Sequence, residues 1–216
     1  MTDDLFTHTD LVAGISALRA DLKADGGPRI STMRNYRFAI LPYRPTEEFK
    51  LRQLCRRLTD DLKADGWGVL SISLQRLLID RIRRLDPQLL QALIHRERTL
   101  HQADPTHGPD RALSYLREKL APHIEGEKGI AADVVRLIAD FAQRYPDQTD
   151  RTLVLIGRAN TLYPFFRSSA LLKHIDGKTS HIPVVLLYPG ERKDKTALSF
   201  MGELPADRDY RPRIYP

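Results

Sequence analysis

The residue types best suited to recognition chemistry cluster at Leu162-Tyr163-Pro164-Phe165-Phe166-Arg167, which sets three aromatics and an arginine just past an apolar run. That run, Thr152-Leu153-Val154-Leu155-Ile156-Gly157, reads as a core strand. Tyr188-Pro189-Gly190 holds the matching place at the end of the next apolar run, Ile182 to Tyr188. If the two runs are neighbouring parallel strands, both groups emerge at one edge of the sheet, where open α/β sheets place their function. Aromatic and arginine side chains dominate the energetics of protein interfaces. Arg158, Tyr163, Phe166, Arg167 and Tyr188 are therefore the candidate partner-binding residues. One of Phe165 and Phe166 is expected to turn inward and fill the core.

Other chemistries lack their parts. A phosphate loop needs glycines for close backbone approach and a lysine for the β- and γ-phosphates. Gly157-Arg158-Ala159-Asn160-Thr161-Leu162-Tyr163-Pro164 has one glycine and no lysine. Pro164 would also remove an N–H donor. Pro42-Tyr43-Arg44-Pro45, after an earlier strand, is no better. His95, His101 and His107 are spaced by six, which scatters them around a helix, and His123, His174 and His181 have no ligand at metal-binding spacing. A two-carboxylate nuclease would draw on Glu191, Lys193 and Asp147, but Glu191 follows Pro189-Gly190 and reads as part of a solvated turn. Ser71 and Ser73 sit in no nucleophile elbow. Cys55 lies on an apolar helix face with Leu51, Leu54 and Leu58, as a buried, unreactive thiol would. The expectation is a chain without catalytic residues, resident metal or cofactor.

The elements that must position the cluster alternate between short apolar runs and longer helical patterns. This predicts an α/β fold, with a mainly parallel open sheet of about five strands flanked by helices. Leu11, Ile15, Leu18 and Leu22 share one face of a helix within the first 25 residues, which Asp25-Gly26-Gly27-Pro28 ends. Arg37 to Leu41 is the first strand, Pro42 to Arg44 a loop, and Pro45 opens a helix that stops at Gly66. Trp67 to Ser73 is the second strand, forming a right-handed βαβ unit with the first. Residues 74–145 carry helical periodicity only and form a helical insertion within a single domain of 1–216. Pro164 starts a helix through Leu172, and Thr196 to Met201 reads as an antiparallel edge strand. The Pro-, Arg- and Tyr-rich tail receives no assignment.

The chain of 216 residues carries a net charge of +6, with a sequence pI near 9.5. That leans toward nucleic acid or an acidic protein surface. Interspersed acids dilute the basic groups Arg52, Arg56, Arg57 and Arg76, Arg81, Arg83, Arg84, which read as solvated helix faces. One cysteine precludes an internal disulfide, no run is long enough to span a membrane, and the acidic N-terminus lacks a signal-peptide pattern. The expected location is cytoplasmic.

Three stretches together carry a family resemblance. They are Phe38-Ala39-Ile40-Leu41-Pro42-Tyr43-Arg44-Pro45, then Leu153 to Gly157 leading into Leu162-Tyr163-Pro164-Phe165-Phe166-Arg167, then Ile182-Pro183-Val184-Val185-Leu186-Leu187-Tyr188-Pro189-Gly190. In this order, with Leu198 to Leu204 following, they resemble the BrxB family, small core proteins of BREX (bacteriophage exclusion) systems. The resemblance implies an adaptor that supports phage resistance and host DNA methylation through protein contacts. The partners it implies are an alkaline-phosphatase-like protein of the PglZ type first, then a large ATPase and a DNA adenine methyltransferase. The alternative is a module of the same complex that binds the DNA backbone; under the adaptor reading, any DNA contact of the isolated chain is expected to be weak and non-specific.

Overall fold

A computed structural model describes residues 10–30, 37–104, 106–192, 198–201 and 212–216. The chain opens with helix α1 (Leu11–Leu22) and strand β1 (Phe38–Tyr43), then α2 (Glu48–Ala64) and β2 (Gly68–Ser73). Four helices follow: α3 (Leu74–Arg83), α4 (Pro87–Ala103), α5 (Gly108–Ile124) and α6 (Ile130–Arg144). Strand β3 (Thr152–Gly157), helix α7 (Ser168–Ile175) and strands β4 (Val184–Arg192), β5 (Leu198–Phe200) and β6 (Arg213–Ile214) complete it. The sheet order is β2-β3-β4-β1-β6, and β5 pairs with the far end of β4. All pairs are parallel except β4 with β5.

Strand periodicity divides the core. Phe38, Ile40, Val154, Ile156, Val184, Leu186 and Tyr188 pack on one face with residues of α3, α5, α6 and α7. Ala39, Leu41, Tyr43, Leu153, Leu155, Val185 and Leu187 pack on the other with α1 and α2. With both faces covered, the central strands read as continuous apolar runs rather than alternating ones. The connection from β1 through α2 to β2 crosses one face and passes over β4 and β3. The returns from β2 to β3 and from β3 to β4 run in the opposite direction on the opposite face. Reversing both direction and face preserves one hand of crossover. The first and second strands are thus parallel members of one sheet but not neighbours.

Several boundaries differ from the sequence reading. Asp10 caps α1 by accepting from the backbone N–H groups of Val12 and Ala13, so the helix starts at Leu11; residues 1–9 lie outside the described part. Pro42 and Tyr43 belong to β1, paired with Tyr188 and Pro189, not to a loop. Pro42 fits because a parallel strand offers each N–H to only one neighbour. Likewise β4 runs through Pro189-Gly190 to Arg192, and Glu191 is on that strand opposite Ser199, not in a turn. Lys193 and the start of the expected fifth strand, Thr196, lie outside the described residues. The unassigned tail supplies β6 beside β1. Buried Tyr215 anchors it by donating from its hydroxyl to Asp21 Oδ2 at 2.9 Å, and Arg213 pairs with the same carboxylate at 2.9 Å.

The span between β2 and β3 is helical apart from a short 3-10 segment, Pro146–Arg151, before β3. Within it α3 and α6 pack on the sheet, whereas α4 buries only Leu93 and forms a hairpin with α5. Arg81 is not a solvated surface residue. It pairs with Asp133 of α6 and donates to the carbonyls of His123, Lys128 and Gly129, joining three helices. Among the described residues, no helix is long and apolar enough to cross a membrane.

Candidate functional site

The carboxyl ends of β1, β3 and β4 meet at one edge. Leu41, Pro42 and Tyr43 of β1 lie against Leu187, Tyr188 and Pro189 of β4, and Ile156 of β3 lies against Leu186. The chains leaving β1 and β3 diverge, to α2 on one face and to α7 on the other, which opens a crevice over β4.

On the α7 side the chain leaves β3 at Arg158, whose backbone is left-handed (φ 64°), and makes a 3-10 turn over Ala159–Leu162. Thr161 holds the turn by donating from its hydroxyl to the Arg158 carbonyl at 2.7 Å. Buried Ala159 and Leu162 seal the core beneath it. The Tyr163–Pro164 peptide is cis. Helix α7 starts at Ser168 rather than Pro164, because Arg167 is extended and occupies the cap position. The aromatic cluster then divides by burial. Phe166 (5% exposed) and Tyr188 (2%) are core residues, while Tyr163 is 48% exposed. Phe165 is half-buried and Arg167 exposed. Phe166 is therefore the phenylalanine that turns inward, and Phe166 and Tyr188 both lie in the core beneath the edge. Phe200 of β5 links buried Tyr188 to exposed Tyr163, packing edge-on against Tyr188 at 5.5 Å and tilted against Tyr163 at 5.9 Å. This close crossing explains the glycine in Tyr188-Pro189-Gly190: a Cβ at Gly190 would lie 2.1 Å from the Ser199 carbonyl oxygen.

On the α2 side lies a polar cluster that the sequence reading did not single out. Tyr43 donates to Glu48 Oε2 at 2.6 Å, Arg52 Nε donates to Glu48 Oε1 at 3.1 Å, and Arg158 pairs with the same oxygen at 3.1 Å. Arg158 is thus held against α2. Nearby, Arg44 faces Glu191 at 3.6 Å, tying the loop after β1 to the end of β4. Phe49 is 76% exposed, with the Arg52 guanidinium 5.3 Å above its ring. The sequence held a signal for it. At 3.6 residues per turn, Phe49 lies about 200° around the helix from Leu51, on the polar face. An aromatic there has no core to fill.

The ionisation of the cluster is fixed by its geometry. Burial alone would raise the Glu48 carboxyl, but hydrogen bonds from Tyr43 and Arg52 and the Arg158 charge outweigh it and hold the group below its ordinary value. Burial, then the Glu48 hydrogen bond and charge, pushes the Tyr43 phenol far above its ordinary value. Burial, with Glu48 adding to it, pushes the Cys55 thiol up to about 12. At neutral pH Glu48 is ionised, and Tyr43 and Cys55 keep their protons. Because folding depresses the Glu48 carboxyl, its contribution is complete above the ordinary carboxylate range and lost as pH falls through the folded value. Urea midpoints of the wild type and Glu48→Gln are expected to differ at pH 7 and to converge only as the pH falls below the ordinary carboxylate range. A gap that stays constant with pH would contradict this.

Among the described residues, no group of three or more His, Cys, Asp or Glu side chains converges to hold a metal ion. Residues 70–214 match the family model described as BREX protein BrxB. The chain belongs to the BrxB family. Membership makes this BrxB-family chain a component of BREX phage defence. The match runs from β2 to β6 and takes in Arg158, Tyr163, Phe166, Arg167 and Tyr188; β1 and α2, with Tyr43 and Glu48, precede it. No curated protein and no solved structure matches the chain.

Proposed function

We propose that this BrxB-family chain is a non-catalytic adaptor that docks another BREX component on the carboxyl edge of its sheet. Phage resistance and host DNA methylation then depend on it through protein contacts. The observation that carries the reading is a set of exposed aromatic and cationic side chains on a frame of buried ones. Tyr163, Arg167 and Phe49 are exposed, over buried Phe166, Tyr188, Leu162 and Tyr43. Such anchors on a rigid base are what hot spots are made of. Glu48 already accepts from Tyr43 and Arg52 and pairs with Arg158, and Tyr43 and Cys55 hold their protons, so the crevice presents neither a poised base nor a nucleophile.

The alkaline-phosphatase-like protein of the PglZ type is the partner proposed, with the ATPase and the methyltransferase as further members of the assembly. Protein docking is favoured over DNA binding because many cations are already paired. Arg19, Lys23, Lys50, Arg76 and Arg136 each face a carboxylate within 4.0 Å. A protein that tracks a DNA backbone must neutralise several successive phosphates, whereas Arg19, Lys50, Arg76 and Arg136 are spread over α1, α2, α3 and α6. The test is affinity capture of a tagged chain expressed from its operon, read by mass spectrometry and by phage plating. Wild type is expected to retain the phosphatase-like protein. Tyr163→Ala with Arg167→Ala should remove it and abolish resistance without a change in melting temperature. Full capture and full resistance in that variant would place the docking surface elsewhere.

A further inference from the structure

The crevice on the α2 side is a cavity of about 210 Å³ lined by Tyr43, Glu48, Leu51, Arg52, Cys55, Gly157, Arg158 and Leu187. We propose that it is a binding site for a small oxyanion, a carboxylate or phosphate group carrying a short apolar tail. The site stands whether or not the neighbouring surface docks a protein.

Position is the first argument. The cavity lies over β4, where the chains from β1 and β3 part to opposite faces, the place at which open parallel sheets take ligands. Charge is the second. Its lining holds two guanidinium groups, Arg52 and Arg158, against one carboxylate, Glu48, so one positive charge is left over. The third is the existing arrangement around Glu48. Its oxygens accept from the Tyr43 hydroxyl and Arg52 Nε, and pair with Arg158 at 3.1 Å. The cavity is thus already built to surround an oxyanion, and the chain's own carboxylate holds the donors. Arg158 supplies the fourth. It sits at φ 64°, a conformation glycine would adopt without strain, yet the position carries a long cationic side chain turned toward the cavity. Leu51, Leu187 and half-buried Cys55 form an apolar lining for a tail. A guanidinium fork matches carboxylate and phosphate oxygens alike, so the two groups share one chemistry.

An incoming oxyanion must compete with Glu48 for Arg158 and Arg52, which gives the test an unusual sign. Inorganic phosphate, butyrate and butylamine are titrated separately into the purified full chain by calorimetry, at constant ionic strength in chloride. Phosphate or butyrate is expected to bind at millimolar concentration or below, and butylamine not to bind. Arg158→Gly, which the left-handed backbone tolerates, should weaken binding by about tenfold or more, the worth of one charge-assisted hydrogen bond. Glu48→Gln should tighten it by about the same factor, because it removes the competing carboxylate and keeps the side-chain shape. Melting temperatures of both variants confirm that they are folded. Absence of binding by both anions, unchanged affinity in Arg158→Gly, weaker binding in Glu48→Gln or preference for butylamine would each overturn the proposal. Phosphate binding without butyrate binding assigns the site to phosphate groups, and the reverse to carboxylates.

Discussion

Arg81→Met is expected to destabilise the protein by about 3–5 kcal/mol, the cost of breaking one side of a buried ion pair. The Arg81 and Asp133 side chains are only 20% and 10% exposed. Arg81 is also the hydrogen-bond donor to the carbonyls of His123, Lys128 and Gly129, where α5 ends and α6 begins. Methionine keeps much of the stem's packing but removes those donors, and among the described residues Asp133 is left with the longer contact to Arg136 at 3.5 Å. At roughly 2–4 °C per kcal/mol for a chain of this size, the melting temperature should fall by many degrees. The double variant Arg81→Met with Asp133→Leu should recover part of the loss, since it removes the stranded charge along with its partner. A single-variant loss below about 1 kcal/mol would mean that the pair behaves as an exposed surface bridge.

Tyr188→Ala and Tyr163→Ala, one on either side of Phe200, are expected to part company. Tyr188 is 2% exposed, so truncation opens a cavity between β4, β5 and the helices and should cost about 3–5 kcal/mol. Tyr163 is 48% exposed, and its loss forfeits little beyond one aromatic contact, about 1 kcal/mol or less. Partner capture should respond in the opposite proportion. Tyr163→Ala weakens capture while the chain stays folded, whereas Tyr188→Ala reduces capture only to the extent that it reduces folded protein. Thermal or urea unfolding of the two variants measures the first contrast, and capture at matched folded fraction measures the second. Equal destabilisation by both would contradict the division of the cluster into frame and surface.

The sheet was legible because its central strands are buried on both faces. Runs such as Leu153 to Ile156 and Val184 to Leu187 have no polar alternation to obscure them. Their adjacency and shared edge followed from the α/β pattern and are present in β3 and β4. The ends of elements were harder to read, because pairing partners decide them. Pro42 and Pro189 signal turns locally, yet each is held in a strand by its neighbour. β6 has two residues and exists only because β1 offers it an edge, with Asp21 receiving Tyr215 and Arg213. Burial within an aromatic cluster is also non-local. The residue types at Tyr163, Phe166 and Tyr188 announce a site, but only the packing of β5 and α7 determines which ring faces outward. Glu48 and Arg158 are distant in sequence, and their contact depends on a left-handed turn at Arg158 that a non-glycine residue does not advertise.

The most direct test of the docking account is the dissociation constant between the purified chain and the purified phosphatase-like component, compared for wild type and for Tyr163→Ala with Arg167→Ala. The account predicts a loss of about thirtyfold or more, corresponding to roughly 2 kcal/mol at an interface hot spot, with an unchanged melting temperature. Equal dissociation constants for the two proteins, or a loss matched by unfolding of the variant, would contradict it.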